Sequence, residues 1–290
     1  MMHKTMLMLA AILLTTSLFS QKKPAYQLFN EKDKKSNYEK MLKACANADV
    51  VFFGESHNNS IAHWLQLELT KDLHKQKDGN IILGAEMYEP DGQLVLDEYF
   101  SGAITQKSFE KEMRLWPNYK TDYKPVLEFA KENGLRMVAT NIPRRYANLV
   151  YRKGLVALDS LSDDAKKYIA PLPVTVDLEL KCYKDLLEMG MGGHGGSSEN
   201  FPHSQAVKDA TMGYFIHKNM EEGKTFIHYN GSYHSDNFES ILWYLNNYHP
   251  GLEIITITTV EQEDTSSLSD DNKGKANFTI CVPETMTKTY

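Results

Sequence analysis

Four short apolar runs in this chain each end on a polar signature. Val50-Val51-Phe52-Phe53 leads into Gly54-Glu55-Ser56-His57, and Ile81-Ile82-Leu83-Gly84-Ala85 leads into Glu86. Met137-Val138-Ala139-Thr140 leads into Asn141, and Phe226-Ile227-His228-Tyr229 leads into Asn230-Gly231, with His234 just beyond. Runs of this length and composition predict buried strands. The segments between them carry helical spacing. Residues 61–75 carry apolar residues at Ile61, Trp64, Leu65, Leu67, Leu69 and Leu73, a helix-length amphipathic stretch. Pro90 and Asp91 open a second helix that runs to Phe100. Residues 108–115 and 123–133 read as two more, the latter stopped by Gly134. Strand alternating with helix is the pattern of a parallel α/β sheet.

The rhythm breaks after Asn141. Residues 143–223 contain no convincing strand, only helical stretches over 144–152, 163–168, 177–188 and 204–220. Within them lies Met189-Gly190-Met191-Gly192-Gly193-His194-Gly195-Gly196-Ser197-Ser198, which predicts a flexible loop, since each helical Gly costs about 1 kcal/mol relative to Ala. Gln205, Asp209, Met212 and Ile216 share one face of the helix after it. Strand–helix alternation returns over 225–230, 237–245 and 253–259. Residues 261–275 form a polar surface loop, and 277–282 read as a late edge strand, with an antiparallel setting open. The expected fold is α/β, a central, mostly parallel sheet flanked by helices. An all-helical insertion over about 143–223 caps the carboxyl ends of the strands.

Composition narrows this further. The 290 residues are 42% hydrophobic and 24% charged, enough for one large globular domain. A formal charge of −6 with no block of Lys or Arg argues against a nucleic-acid partner. The first 20 residues read as a signal peptide and 21–290 as a single domain. Lys4 precedes an apolar stretch shorter than the roughly 20 residues of a membrane span, and Ser20 is a small residue before a cut at Gln21. Ser17 offers a second cut site, and an uncleaved anchor is the rival reading. No Cys lies near the cut, so a lipoprotein is not expected. Cys45, Cys182 and Cys281 are odd in number and lack metal-site spacing, so they read as buried apolar residues.

In open α/β sheets the functional crevice lies outside the carboxyl ends of the strands, where all four signatures fall. Gly54 would permit a tight strand-to-helix turn. Glu55 and His57 can be a general base and its orienter, two metal ligands, or a helix-terminal Glu with a capping partner. Asn58 and Asn59 read as caps of the next helix. Glu86 needs a partner if buried, and Arg144 or Arg145 would supply one. Asn230-Gly231 reads as a turn dipeptide first. His63, His74, His217 and His249 read as surface or helix-packing residues. His194 sits in the glycine loop near Met189 and Met191, with Tyr183, His203 and Tyr214 flanking it, and His, Tyr and Met are haem-iron ligands. A solvated loop residue is the alternative.

Gly54-Glu55-Ser56-His57, Glu86-Met87, Asn141-Ile142-Pro143-Arg144, the Gln205/Asp209/Met212 face and Asn230-Gly231 through His234 together resemble the ChaN-type haem-binding proteins. These belong to the wider Tiki superfamily, which also holds metal-dependent proteases and erythromycin-esterase-like hydrolases. The resemblance covers about residues 49–259. It implies an exported protein of haem or iron acquisition, with haem held at a homodimer interface by Tyr and His ligands and an outer-membrane haem receptor system as a further partner. His194 is the carried-over ligand, with Tyr183, His203 and Met191 nearby. The glycine-rich setting of His194 and the missing lipobox Cys depart from the family pattern. The rival reading is a hydrolase, either dependent on a divalent metal ion or using Glu55, His57, Glu86 and His234 as acid and base groups. A third is a scaffold whose rim residues only satisfy one another.

The leader yields the first testable expectation. Protein recovered from its native host begins at or near Gln21 by N-terminal sequencing; an intact Met1 on cytoplasmic protein would overturn this.

Overall fold

A computed structural model describes residues 23–192 and 200–290 of the chain, with only the backbone described over 189–192. The elements run β1 (Gln27–Asn30), α1 (Tyr38–Ala46), β2 (Val50–Glu55), α2 (Ser60–Gln76) and β3 (Ile81–Ala85). After a 3-10 turn at Pro90–Gly92 come α3 (Gln93–Phe100), α4 (Gln106–Glu112), a π-helical turn at Tyr119–Tyr123, α5 (Lys124–Glu132) and β4 (Arg136–Ala139). Then follow α6 (Arg144–Lys153), α7 (Asp163–Lys166), α8 (Lys181–Gly192) and α9 (Phe201–Asn219). The chain closes with β5 (Thr225–Gly231), α10 (Ile241–Tyr248), β6 (Ile254–Gln262) and β7 (Phe278–Pro283).

The strands form one sheet in the order β1-β7-β6-β2-β5-β3-β4, parallel except for β1. Period-2 alternation sends side chains to both faces, and both are buried, as parallel sheets require. Val51, Phe53, Leu83 and Ile227 pack with Met41 of α1, Leu65 and Leu69 of α2 and Leu127 of α5. Val50, Phe52, Ile82 and Phe226 pack on the other face with Met212 and Ile216 of α9 and Ile241 and Leu245 of α10. The chain leaves β2 towards β3, crossing β5, and leaves β5 towards β6, crossing β2. Right-handed crossovers in opposite directions put α2 and α10 on opposite faces. The crevice at the carboxyl ends of β2 and β5 therefore opens where the winding reverses.

Between β4 and β5 the described residues are helical or irregular. α9 does two jobs: its first half belongs to the helical cap and its second half covers a sheet face. Asn59 caps α2, accepting from the Ile61 and Ala62 amides at 3.1 Å. All three cysteines are buried and unpaired. No helix among the described residues is long and apolar enough to cross a membrane; residues 1–20, read above as a leader, lie outside them.

Several local expectations are corrected. β7 is neither antiparallel to its inner neighbour nor the edge: it runs parallel to β6, and β1 covers its other side antiparallel. Asn230-Gly231 does not turn. Both residues remain in β5, because the Asn230 amide is buried in bonds to Gly231 O, Ser235 and His228. α8 runs on to Gly192 rather than ending at 188, so Gly190 and Gly192 fall in its last turn, where Gly is best tolerated, while the rest of the expected glycine loop, 193–198, lies outside the described residues. Gly54 lies within β2 and is demanded by crowding instead of a turn. A Cβ there would meet Ile257 O and Ser232 Cα at 3.0 Å, both main-chain atoms that cannot swing away.

Gly54→Ala is therefore expected to destabilise the fold by about 1–3 kcal/mol, the usual cost of overpacking. A urea midpoint lowered at unchanged slope would show it; an unchanged midpoint would contradict the close approach.

Candidate functional site

Two carboxylate–histidine pairs form the crevice floor. In the first, Glu55 ends β2 with its side chain buried. The His57 ring, two residues on, is hydrogen-bonded through Nδ1 to Glu55 Oε1 at 2.9 Å. Tyr123 OH donates to the same oxygen at 2.8 Å, and Gln66 Nε2 to Oε2 at 2.5 Å. Tyr123 reaches it from the π-helical turn, a geometry that often marks functional sites. The His57 carbonyl is fixed as well: His63 Nε2 donates to it at 3.0 Å and Asn118 Nδ2 at 2.8 Å. Asp122 stands behind both, accepting from Asn118 Nδ2 at 2.6 Å and Thr289 Oγ1 at 2.6 Å. Trp116 packs edge-on against the His57 ring, 4.9 Å between centroids.

In the second pair, Glu86 follows β3 and is buried. Its Oε2 accepts the Gly231 amide at 2.8 Å, and His234 Nε2 lies 3.4 Å from Oε1. His234 Nδ1 bonds Asp209 Oδ1 of α9 at 2.5 Å, and Tyr183 OH donates to Asp209 Oδ2 at 2.8 Å. One imidazole thus bridges two buried carboxylates. Burial opposes its charge, but Glu86 and Asp209 outweigh that and push the His234 pKa up to about 10. Burial would raise the Glu86 carboxyl, yet His234, His57 and the Gly231 amide hold it well below the usual range. Asp209 moves upward, because burial exceeds the help it receives from His234 and Tyr183. Burial would also lower His57, but its Glu55 bond and the Glu86 charge reverse this and raise it. The two pairs meet at Gly231, where an added Cβ would lie 2.8 Å from His57 Nε2 and 3.6 Å from Glu86 Oε2.

Above this floor opens a crevice of about 950 Å3. Its far wall is α6 and α9. Arg144, Ala147, Asn148 and Tyr151 line it from α6, and Phe201, Ser204, Gln205 and Lys208 from α9, each set at i, i+3, i+4 and i+7. Met87, Trp116, Ile142 and Leu186 supply apolar surface. Asn141 also lines it, its buried Oδ1 without a hydrogen-bond partner.

The structure thus brings together Gly54, Glu55, His57, Glu86, Asn141, Arg144, Gln205, Asp209, Asn230, Gly231 and His234 at one end of the sheet. The partner expected for Glu86 is corrected. His234 serves it, while Arg145 pairs with Asp91 at 2.6 Å and Arg144 makes no ion pair among the described residues. Tyr183 is fully buried with its hydroxyl on Asp209, so it positions that carboxylate and presents no oxygen to the crevice. His203 stands in the first turn of α9 but is not among the lining residues. His194 and the Met191 side chain lie outside the described residues. No group of three or more His, Cys, Asp or Glu side chains among the described residues is arranged to hold a metal ion. The oxygens of Glu55 and Glu86 are turned to intramolecular donors instead. Sequence reasoning missed the supports His63, Gln66, Asn118, Asp122 and Tyr123, and the cation Lys208. His63 and Gln66, one turn apart on the buried side of α2, were the available signal.

A family model described as haem-binding uptake, Tiki superfamily, ChaN, matches residues 41–245. The chain belongs to the ChaN family. That match spans α1 to α10 and includes every residue of the two carboxylate–histidine pairs. A solved structure of ChaN from Campylobacter jejuni, described as showing cofacial haem binding, is similar with a TM-score of 0.66 at 16% identity, over 88% of this chain and 96% of that one. A Bacillus cereus protein is similar with a TM-score of 0.51 at 13% identity, over 89% and 95%. At these identities the likeness to ChaN of C. jejuni and to the B. cereus protein concerns the fold. A curated plant relative, the chloroplastic RETICULATA-RELATED 5 protein of Arabidopsis thaliana, is 27% identical over 146 residues. That match covers 48% of this ChaN-family chain and 19% of the plant protein's length.

The charge of His234 has a pH signature. Its pKa in the fold, about 10, exceeds an unfolded value of roughly 6.5. Its contribution to stability is therefore full below about pH 6.5 and is lost as pH rises through about 10. His234→Gln, which leaves two buried carboxylates unpaired, is expected to cost about 3–5 kcal/mol at pH 7. Urea unfolding between pH 7 and 9.5 should show stability falling in the wild type and a flatter profile in the variant. Parallel profiles would refute the bridging cation.

Proposed function

We propose that this protein is an exported haem-binding protein of haem or iron acquisition, with the porphyrin seated in the crevice between the strand ends and the helical wall. The crevice itself carries this reading, within a family described as haem-binding uptake. Its volume falls in the range of roughly 300–1,000 Å3 typical of cofactor sites. Its residues fit the group. Met87, Trp116, Ile142, Leu186 and Phe201 offer apolar contact to a macrocycle, and Arg144 and Lys208 offer cations to its carboxylates. Haem, when bound, would present an iron to be ligated, and two imidazoles are candidates to hold it. His57, 35% exposed and oriented through Nδ1 by Glu55, is one. His194, in the segment joining α8 to α9, is the other. A second copy of the chain closes over the porphyrin in this reading, and an outer-membrane haem receptor system lies upstream of it.

A hemin titration followed in the Soret region and by size exclusion tests it, with a near-stoichiometric shift and a ligand-dependent dimer expected. Loss of the shift in His194→Ala with His57→Ala unaffected assigns the iron to His194; the reverse assigns it to His57. No hemin-dependent shift in the wild type defeats the proposal. Acid–base hydrolysis is the second reading, favoured by the Glu55–His57 pair standing beside a fixed His234 cation. Under it His57→Ala abolishes turnover and leaves hemin binding intact.

A further inference from the structure

The far wall of the crevice has a polarity that the floor does not. α6 and α9 run antiparallel along it. Two contacts fix their register. The Tyr151 and Phe201 rings meet edge to face, 6.2 Å between centroids. One turn along, Ser204 Oγ donates to Ala147 O at 2.9 Å. Lys208 Nζ turns back to Gln205 Oε1 at 3.2 Å on the same stripe. One further turn in the same direction brings Arg144 on α6 level with Lys208 on α9. The wall therefore has an aromatic end at Tyr151 and Phe201, a small polar middle at Ala147 and Ser204, and a cationic end at Arg144 and Lys208. The cationic end lies next to the strand ends, because Arg144 opens the helix directly after Asn141 and Lys208 precedes Asp209.

Neither cation is neutralised. Among the described residues, Arg144 and Lys208 have no carboxylate partner. Neighbouring arginines do: Arg114 pairs with Glu89 at 2.8 Å and also with Asp91, and Arg145 pairs with Asp91 at 2.6 Å. Glu89, a lining residue, and Asp91 are thus matched by Arg114 and Arg145, neither of which lines the cavity. The buried carboxylates of the floor are held by His234, His57 and main-chain or side-chain donors. Two cations at one end of a cavity wall, with the nearby acids already matched, form a receptor for anionic groups on the ligand.

We infer that Arg144 and Lys208 form the carboxylate-recognition end of the crevice, selecting an amphipathic ligand whose two carboxylates lie on one edge and whose apolar edge packs on Tyr151 and Phe201. This rests on the haem-binding reading and deepens it. A porphyrin with both acid side chains on one edge satisfies both ends of the wall in a single orientation. Recognition then comes from the periphery of the macrocycle as well as from its metal, so an iron-free porphyrin diacid is also a ligand.

The test compares wild type and an Arg144→Gln/Lys208→Gln variant, each titrated with hemin, with iron-free protoporphyrin IX and with its dimethyl ester. The variant's circular dichroism and urea midpoint provide the folding control. The wild type is expected to bind protoporphyrin IX more tightly than the ester by about tenfold or more, and the variant to lose that preference while keeping its affinity for the ester. Equal binding of diacid and ester by the wild type overturns the inference, as does a variant that weakens both alike. In those cases hemin binding persists and the haem reading stands. A wild type that binds neither hemin nor protoporphyrin IX removes the haem reading and this inference with it.

Discussion

Buried charge governs how this molecule is arranged. Glu86 and Asp209 come from opposite layers, one from a strand end and one from the helical insertion, and neither is tolerable inside the protein alone. The His234 imidazole lies between them, 3.4 Å from one and bonded at 2.5 Å to the other. That bridge ties the insertion to the sheet. It fixes α9, which runs from the cap onto the sheet face, against the carboxyl ends of the strands. The Gly231 amide, still within β5, adds a hydrogen bond to Glu86 beside the larger effect of the His234 charge.

Most of the frame was legible because it rests on local signals. The four apolar runs became β2, β3, β4 and β5, neighbours in one half of the sheet, and their polar endings converged. Parallel strands put all their carboxyl ends on one side, so sequence position alone located the site. What escaped prediction depends on distant pairing. β1 has four residues beside a lysine-rich turn, and it becomes a strand only because β7, some 250 residues away, offers an edge. The partner of Glu86 was misplaced for the same reason: the nearest cations in sequence were arginines, while the one in space was a histidine from β5's exit. His63 looked like packing and proved to hold a backbone carbonyl, a role with no composition signature.

Floor and wall differ in chemical character. The floor is rigid and saturated, with nearly every oxygen of Glu55, Glu86 and Asp209 committed to a donor. The wall differs: among the described residues Arg144 and Lys208 have no carboxylate partner, and the buried Asn141 Oδ1 has no hydrogen-bond partner. A saturated floor resists rearrangement when something enters, so discrimination falls to the side that still has bonds to make.

Thr289 has a consequence for the order of assembly. Its hydroxyl braces Asp122, and its amide donates to Asn58 O at 3.0 Å, so the loop bearing His57 is buttressed by residues synthesised more than 200 positions later. While the chain is being made, the strand ends can gather and the helices can dock. The loop at residues 57–59 nevertheless keeps an unfilled side until residue 289 has emerged. Thus the last brace on the His57 loop is supplied by residue 289, after the sheet and helices already have contacts of their own.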